Sequence, residues 1–346
     1  MQIKFRIFAL PDQDRDRMNT HADELICRMP PYLKRGDTVA LVSPSYRTPA
    51  ENVSGAAEVL RGWGFRTVVG PHADRLFAGK YAGTAEERLA DLRWALREPE
   101  IRAILCNRGG YGVLHLLDRL GPDELAADPK WLIGCSDITM LLQMANCAGM
   151  AAVHGPMCSG IAPSGGTAPG CEALRDLLLG RVPRYELPPH PLNRPGRACG
   201  TLTGGNLCTF TPGLDLWADT TRFPDIVLFI EEVEETMHHI DRLFQMLRLR
   251  GVPERCRAVV LGDFTRCRAD LAYDSVEAML LEYLAPCGIP VLCGFPAGHG
   301  PRNYPLLTGV PVTVDVRPDG ATLRFDVPGA SYALRPAPDP ADGQSA

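Results

Sequence analysis

Short apolar strands alternate with amphipathic helices along residues 33–155, and this alternation restricts the possible folds more than any other feature of the sequence. The pattern predicts strands at 38–42, 66–69, 101–106 and 131–133, and helices at 50–63, 84–97, 112–120 and 138–148. Strand–helix units of this length form parallel strands joined by right-handed crossovers. We therefore expect an N-terminal α/β domain over residues 31–158, with a doubly wound, mostly parallel sheet of the flavodoxin-like kind.

The second half of the chain predicts another α/β domain with a β-rich C-terminal part. Residues 159–198 are rich in Gly and Pro and carry one short helical segment, which favours a linker. Beyond it the sequence predicts strands at 226–230, 258–261 and 291–292, and helices at 236–249 and 271–284. Alternation with period two at 310–316 and 321–327 predicts a hairpin around Pro318-Asp319-Gly320. This C-terminal domain is expected to cover residues 199–335.

The two ends of the chain lack this periodicity. Residues 1–30 predict a disordered or artefactual extension, and the polar, Pro-rich residues 336–346 predict a disordered tail. The first residues contain no apolar run of the roughly 7–15 residues that a signal peptide needs. No run of about 18 apolar residues predicts a transmembrane helix. These observations favour a cytoplasmic protein without a membrane partner.

Charge and cysteine spacing narrow the class of function. The 346 residues include 36 Lys and Arg against 41 Asp and Glu, which gives a net charge of −5 without a block of like charge. This balance argues against nucleic acid as a partner. The 12 cysteines form no CxxC pair and no zinc-finger spacing, so we expect free thiols and no metal site. We also expect no nucleotide cofactor, because the chain has neither G-x-G-x-x-G spacing nor a Walker lysine.

Two turns that follow predicted strands carry residues suited to chemistry, since open α/β sheets bind ligands at the carboxyl ends of their strands. After strand 101–106 comes Arg108-Gly109-Gly110-Tyr111-Gly112, whose glycine N–H groups form either an oxyanion hole or only a tight turn. After strand 131–133 comes Gly134-Cys135-Ser136-Asp137, a sharp strand-to-helix turn with an exposed hydroxyl. This turn is typical of a nucleophile elbow, although a simple helix cap by Ser136 or Asp137 is the alternative.

A serine nucleophile needs a base and an orienting acid. His299 lies between two glycines after strand 291–292, where its ring is free to face a site. Glu231 ends the buried strand 226–230 and is followed by Glu232, so the identity of the acid stays open between them. Because Ser136, Glu231 and His299 each follow a predicted strand, they are able to converge on one edge as a triad.

Six segments, in the same order along residues 31–327, resemble the LD-carboxypeptidase family, peptidase family S66, which also contains the microcin C self-immunity hydrolases. They are LKRGDTVALVSPS, CNRGGYG, IGCSDIT, GTLTGGNL, LFIEEVEE and GFPAGHGPRNYPLLTG. The resemblance implies that Ser136, His299 and Glu231 act as a Ser-His-Glu triad. It also implies an oxyanion hole built from backbone N–H groups of Asp137 and of the RGGYG turn, at Gly110 with Gly109 beside it.

The resemblance further implies a reaction and a setting. Family members cleave the amide before a terminal D-amino acid, such as the D-Ala of a muropeptide tetrapeptide in peptidoglycan recycling, and they are metal-free, cytoplasmic and commonly dimeric. Asn206 of the GGNL segment is expected near the substrate. A carboxypeptidase also needs a cation for the terminal carboxylate, and Arg108 and Arg302 are both candidates.

Two other functions remain open at this point. A microcin C-type immunity hydrolase would use the same triad to cleave an aminoacyl or peptidyl nucleotide amide. A catalytically silent α/β protein that binds a small ligand is the non-enzymatic alternative, against which the three intact triad residues argue.

Overall fold

Two β-sheets flanked by helices make up the part of the chain that the computed structural model describes, residues 27–328 and 331–336. The strands are β1 (Thr38–Val42), β2 (Arg66–Val69), β3 (Ile101–Cys106), β4 (Trp131–Gly134), β5 (Ala152–His154), β6 (Arg181–Leu187), β7 (Gly196–Asn206), β8 (Ile226–Val233), β9 (Cys256–Thr265), β10 (Val291–Leu292), β11 (Leu306–Thr308), β12 (Pro311–Arg317), β13 (Gly320–Phe325) and β14 (Ser331–Pro336). The α-helices are α1 (Ala50–Gly62), α2 (Ala85–Arg97), α3 (Pro122–Ala126), α4 (Thr139–Cys147), α5 (Cys158–Ile161), α6 (Pro169–Leu178), α7 (Leu207–Phe210), α8 (Met237–Arg248), α9 (Val252–Arg255) and α10 (Val276–Leu284).

The first sheet has the strand order β2-β1-β3-β4-β5-β11. Strands β1 to β5 are all parallel, and their 2-1-3-4-5 order is that of flavodoxin-like folds. The flavodoxin-like prediction is thus confirmed. Strand β11 was not predicted. It comes from the C-terminal half of the chain and pairs antiparallel with β5 at the edge of the sheet.

The second sheet has the order β10-β9-β8-β7-β12-β13-β6-β14. Strands β10, β9, β8 and β7 are parallel neighbours, whereas β12 and β13 form the predicted hairpin, in which Arg317 pairs with Gly320. A second α/β domain with a β-rich C-terminal part is therefore confirmed. The carboxyl ends of β7 and β8 lie side by side, with Asn206 in register with Glu231.

The segment 159–198, expected as a linker, is largely structured. It contains α6 and β6 and the start of β7, and β6 pairs with both β13 and β14 in the second sheet. Strand β6 was not predicted because it contains Pro183, and a proline inside an apolar run of residues argues against a strand. The structure accommodates it because the pairing of β6 with β13 begins only at Arg184. The second sheet therefore begins before residue 199.

Two further expectations need correction. Residues 112–120 form only a single 3₁₀ turn at Val113–Leu116 instead of a helix. Within the extension expected at 1–30, residues 27–30 are ordered: Cys27 is buried, and Arg28 N donates to Gly149 O at 2.8 Å. Residues 1–26 and 337–346 lie outside the described residues, while Pro336 closes strand β14.

The hydrophobic core joins the two sheets. One cluster of buried side chains contains Val153 of the first sheet together with Phe229 and Phe295 of the second half, all fully buried. Burial of a side chain of this size contributes roughly 1.5–3 kcal/mol to folding. The same core therefore fixes how the carboxyl ends of β4 and β8 face each other. None of the helices within the described ranges is long and apolar enough to cross a membrane.

Candidate active site

Ser136 stands in a strained turn directly after β4. Its backbone φ of +61° lies in the left-handed region, which costs about 1–2 kcal/mol for a residue with a Cβ. Strain of this kind concentrates at functional sites. Gly134 permits the turn, because a Cβ atom there would lie 2.7 Å from Ile138 Cγ2. A 3₁₀ turn at Ser136–Ile138 then leads into α4, so the first N–H groups point outward without a helical acceptor.

The glycine turn after β3 lies against this serine. A Cβ atom at Gly109 would lie 2.6 Å from Ser136 Cβ, 2.8 Å from Ser136 Oγ and 3.2 Å from the backbone nitrogen of Asp137. The close approach of these two turns explains why position 109 has no side chain. It also places the backbone of Gly109 and Gly110 next to the N–H group of Asp137. Gly110 itself has a φ of +121°, which favours glycine.

The side chain of Asp137 holds the two turns together. It is buried, and its Oδ2 accepts hydrogen bonds from Ser45 Oγ at 2.7 Å and from Val113 N at 2.9 Å. Burial raises the pKa of Asp137, against the lowering effect of these two hydrogen bonds. The carboxylate thus links the carboxyl ends of β1 and β3 to the turn after β4.

His299 is paired with Glu231. The Nδ1 atom of His299 lies 2.8 Å from Glu231 Oε2, and the glutamate side chain is fully buried. Burial lowers the pKa of His299, but the hydrogen bond and charge of Glu231, with the charge of Glu232, outweigh it, so the net pKa is raised. With Nδ1 donating to the carboxylate, Nε2 is left as the basic nitrogen.

Glu232 has a different set of partners. It accepts hydrogen bonds from Asn206 Nδ2 at 2.6 Å, from Cys208 N at 2.8 Å and from its neighbour Val233 N at 2.9 Å. Burial, opposed by these hydrogen bonds and reinforced by the charge of Glu231, raises its pKa to about 7. The structure therefore separates the two glutamates that the sequence left open, with Glu231 on the histidine and Glu232 at the start of α7.

The loop that carries His299 is tied to the turn of Ser136. Asn303 Oδ1 accepts from Gly298 N at 3.1 Å, and Asn303 Nδ2 lies 3.6 Å from Cys135 Sγ. Gly298 must be small, because a Cβ atom there would lie 2.9 Å from Glu231 Oε2. A second tie joins Asn206 N to Thr139 Oγ1 at 3.2 Å. These contacts bring the residues after β7, β8 and β10 to the carboxyl edge of the first sheet.

A cleft of ≈ 470 Å³ opens beside His299. Its walls are Cys135 next to Ser136, the 298–303 loop with Arg302, and the segment 156–171 with the apolar residues Pro156 and Met157. Asp263 lies behind this loop; burial raises its pKa to about 6, while the charge of Arg302 acts in the opposite direction. A Cβ atom at Gly300 would lie 2.4 Å from Asp263 Oδ2, so the loop packs tightly on this carboxyl group.

The other sequence candidates lie elsewhere around the site. Arg108 stands over the ring of Tyr46, with its guanidinium carbon 5.9 Å from the ring centroid, on the side of β3 and β1. Asn206 is buried, and its side chain is occupied by Glu232 and by the N–H group of Thr209. Its side chain therefore helps to position Glu232.

Asp263 and Asn303 lie near the triad candidates and were not singled out from the sequence. A third neighbour is His154, which follows an apolar stretch and was a weaker candidate for the base than His299. His154 is fully buried, its ring meets Phe229 edge to face at 5.0 Å, and burial lowers its pKa to about 4. Within residues 27–328 and 331–336, neither of its ring nitrogens has a hydrogen-bond partner. It is the last residue of β5. The described ranges hold no group of three His, Cys, Asp or Glu side chains placed to bind a metal ion.

Both halves of the chain match known protein families. Residues 39–155 match the LD-carboxypeptidase N-terminal domain, and residues 199–314 match the LD-carboxypeptidase C-terminal domain. The murein tetrapeptide carboxypeptidase of Pseudomonas aeruginosa is 33% identical over 275 residues, covering 77% of this chain and 89% of that protein. The microcin C7 self-immunity protein MccF of Escherichia coli is 28% identical over 323 residues, covering 81% and 91%.

The solved structures agree in fold. The crystal structure of muramoyltetrapeptide carboxypeptidase from Oxalobacter formigenes superposes with a TM-score of 0.75 at 24% identity, covering 83% of this chain and 98% of that one. Fold and sequence together define a peptidase of the carboxypeptidase class. The chain belongs to the LD-carboxypeptidase family, as the resemblance of its six segments indicated.

Proposed function

We propose that this protein is a serine LD-carboxypeptidase that removes a terminal D-amino acid from a peptide, such as the D-Ala of a muropeptide tetrapeptide. The observation that carries the proposal is the pair of His299 and buried Glu231, held by Asn303 against the strained turn of Ser136. A base oriented by a carboxylate beside a nucleophile turn is the arrangement that acyl transfer requires.

The first step is attack by Ser136 Oγ on the scissile carbonyl carbon. His299 Nε2 takes the hydroxyl proton, and Glu231 fixes the ring tautomer and stabilises the imidazolium that forms. The oxyanion accepts hydrogen bonds from the N–H groups of Asp137 and Gly110, each of which contributes about 3 kcal/mol in comparable sites. Gly109, without a side chain, lets the two turns approach closely enough for this.

The second step returns the proton. His299 protonates the nitrogen of the departing D-amino acid as the carbon–nitrogen bond breaks, which leaves an ester on Ser136. Water, deprotonated by the same histidine, then attacks the ester carbonyl, and the serine oxygen leaves with the proton. The peptide acid is released, and the enzyme regains its starting protonation.

We infer that the two halves of the substrate lie on opposite sides of Ser136, and the order of strands in the first sheet supports this. The serine follows β4, which lies between β3 and β5. The cleft with His299 and Arg302 lies on the β5 side, whereas the glycine turn and Arg108 lie on the β3 side. Because His299 must protonate the leaving group, the D-amino acid belongs in the cleft. Arg302 would then supply the cation for its terminal carboxylate, a role that its place in the wall of this cleft supports.

The role proposed for Arg302 predicts how removal of its charge changes the reaction. Arg302→Gln is expected to lower kcat/KM about 10-fold to 100-fold for a peptide that ends in a free D-Ala carboxylate, because a charge-assisted hydrogen bond is lost. The same variant is expected to change little for the matching peptide that ends in D-Ala amide. Steady-state kinetics on the two peptides measures the difference. An equal loss on both peptides, or a selective loss in Arg108→Gln instead, would contradict the role of Arg302.

The overall reaction is tested by mass spectrometry of the native protein with L-Ala-D-Glu-meso-diaminopimelate-D-Ala. Loss of one D-Ala, with no other cleavage, is the expected result. The runner-up function, hydrolysis of a peptidyl or aminoacyl nucleotide amide, draws its support from the similarity to MccF. Release of the amino-bearing nucleotide from such a compound, with the tetrapeptide intact, would favour that function instead.

A cytoplasmic setting is part of the proposal. All twelve cysteines are free, as expected for a reducing compartment. This agrees with a substrate that reaches the enzyme as a small turnover peptide.

A further inference from the structure

Arg88 is a buried arginine of helix α2 that lies behind the glycine turn after β3. It is only 3% exposed, although arginine side chains rarely lose contact with water unless they are paired. Its Nη1 atom donates to Pro44 O at 2.6 Å and to Gly112 O at 2.8 Å, and its Nη2 atom lies 3.2 Å from His115 Nδ1. The guanidinium group therefore joins the segment after β1 to the last residue of the glycine turn.

Asp137 binds the same two segments. Its Oδ2 atom accepts from Ser45 Oγ and from Val113 N, and these two residues directly follow the carbonyl groups that Arg88 binds. The C=O of Gly112 and the N–H of Val113 belong to one trans peptide group, in which they point in opposite directions. This peptide group thus lies between the guanidinium and the carboxylate, with its oxygen toward the cation and its N–H toward the anion. That is the favourable orientation of a peptide dipole between two charges.

The space around this peptide group is tightly filled. Gly112 has a φ of +136°, and a Cβ atom there would lie 2.7 Å from Arg88 Nη1. The guanidinium group also lies over the ring of Tyr81, with its central carbon 5.3 Å from the ring centroid. Burial lowers the pKa of Arg88, while the charge of Asp137 acts in the opposite direction, and an arginine remains a cation in proteins. These contacts leave the end of the glycine turn little freedom to move relative to α2.

Two buried charges are an expensive way to fill this space. Their removal from water opposes folding, and apolar side chains of similar volume are often at least as stabilising. Apolar side chains cannot, however, fix the plane of a peptide group, which a donor on one side and an acceptor on the other can. This plane matters because Gly110, one proposed oxyanion donor, lies in the same turn as Gly112. The other proposed donor is the backbone N–H of Asp137 itself.

We propose that Arg88 is a positioning residue for the oxyanion hole, which fixes the direction of the backbone N–H groups of Gly110 and Asp137. Because it is buried behind the turn, Arg88 acts through these groups and does not itself contact the substrate. A residue with this role affects the transition state more than substrate binding, since the oxyanion exists only after the serine has attacked. This inference rests on the proposed function for the place of the oxyanion.

Two rates that depend on the oxyanion hole test this role. One is kcat for release of D-Ala from the tetrapeptide, and the other is the rate constant for labelling of Ser136 by a fluorophosphonate. Labelling does not depend on peptide specificity, because the phosphonyl oxygen takes the place of the oxyanion. Arg88→Gln is expected to lower both rates by about 10-fold to 100-fold and to leave KM within about twofold, because displaced donors stabilise the transition state poorly. Arg88→Lys keeps the charge and is expected to recover part of both rates.

Arg93→Gln is the matched control. Arg93 lies on the same helix and donates hydrogen bonds to Glu124 and to Arg119 O instead of to the glycine turn. Its variant is expected to have a lower thermal midpoint but native rates of turnover and labelling. Equal rate losses in Arg88→Gln and Arg93→Gln, or native rates in a folded Arg88→Gln, would overturn the proposal. If Arg88→Gln does not fold, Arg88→Lys replaces it, and native rates in that variant would overturn the proposal as well.

A double variant tests whether Arg88 and Asp137 act together. Because both hold the same peptide group, the combination of Arg88→Gln with Asp137→Asn is expected to slow labelling by less than the product of the two single effects. Single effects that multiply fully would contradict the joint positioning of this group.

The two rates also distinguish this proposal from the proposed function. If the native protein is labelled at Ser136 but releases no D-Ala, the proposed reaction fails, and slower labelling of Arg88→Gln still supports the role of Arg88. If D-Ala is released and Arg88→Gln matches the native protein in both rates, the reaction stands and the role of Arg88 fails. A native protein that is neither labelled nor active would contradict both.

Discussion

Ser136→Ala is expected to lower kcat for D-Ala release by about 10⁴-fold or more, because removal of a serine nucleophile leaves only oxyanion stabilisation and binding. The residual rate, measured by mass spectrometry of the released D-Ala, reports that remainder. Substrate affinity should change little, since Oγ contributes to bond formation rather than to holding the peptide. The thermal midpoint should also stay close to that of the native protein, because alanine meets the same left-handed strain at φ +61° that serine does.

A serine elsewhere in the site provides the control for this variant. Ser159 lines the same cleft and is exposed, and Ser159→Ala is expected to keep nearly full turnover. A fluorophosphonate reagent should label the native protein and Ser159→Ala but not Ser136→Ala, as read from the mass of the intact protein. Near-native turnover by Ser136→Ala would show that another residue is the nucleophile.

Glu231→Gln is expected to lower kcat by about 10⁴-fold, the order seen when the acid of a serine triad becomes an amide. The amide cannot stabilise the imidazolium and allows the wrong ring tautomer. The pH profile should move as well. In the native protein the raised pKa of His299 means that activity falls as pH drops through a value above 6.5, where the base becomes protonated. Without the charge of Glu231 that pKa falls, so the acid limb of kcat/KM should shift to lower pH.

Glu232→Gln separates the two neighbouring carboxylates. Glu232 accepts hydrogen bonds from Asn206, Cys208 and Val233. Its amide variant is therefore expected to have a lower thermal stability but to retain most of the native kcat. A pH–rate profile and a thermal melt on both variants give the comparison. If the larger loss of kcat and the shifted acid limb belonged to Glu232→Gln, the orienting acid would have to be reassigned.

The strands that the sequence predicted well are those whose pattern is local. Strands β1, β3 and β4 are continuous apolar runs followed by turn residues, and their positions differ from the predictions by one residue at most. Helix α2 begins with a capping box, a local sequence signal, with Thr84 accepting from Glu87 N and Glu87 Oε2 accepting from Thr84 N. The structure of such segments is determined by residues that are neighbours in the sequence, so it can be predicted from the sequence.

The missed elements depend on partners far along the chain. Strand β6 contains Pro183, and β11 has only three residues, so neither shows a convincing pattern. Both exist because a distant strand supplies their hydrogen bonds: β13 and β14 for β6, and β5 for β11. The choice between Glu231 and Glu232 was equally non-local. It depends on which face of β8 meets the loop of His299, and adjacent strand residues point to opposite faces.

Strand β11 limits how the two halves of this enzyme can be separated or exchanged between genes. It begins seven positions after His299 and is hydrogen-bonded to β5, in the sheet that holds Ser136. His299 is therefore covalently tethered to the sheet that carries Ser136 by the six residues 300–305. Splitting the gene after the first sheet would strip β5 of its edge partner and expose a row of unpaired backbone groups, a template for aggregation. Modular exchange of the two halves between relatives is thus opposed by the same short tether that links His299 to the sheet of Ser136.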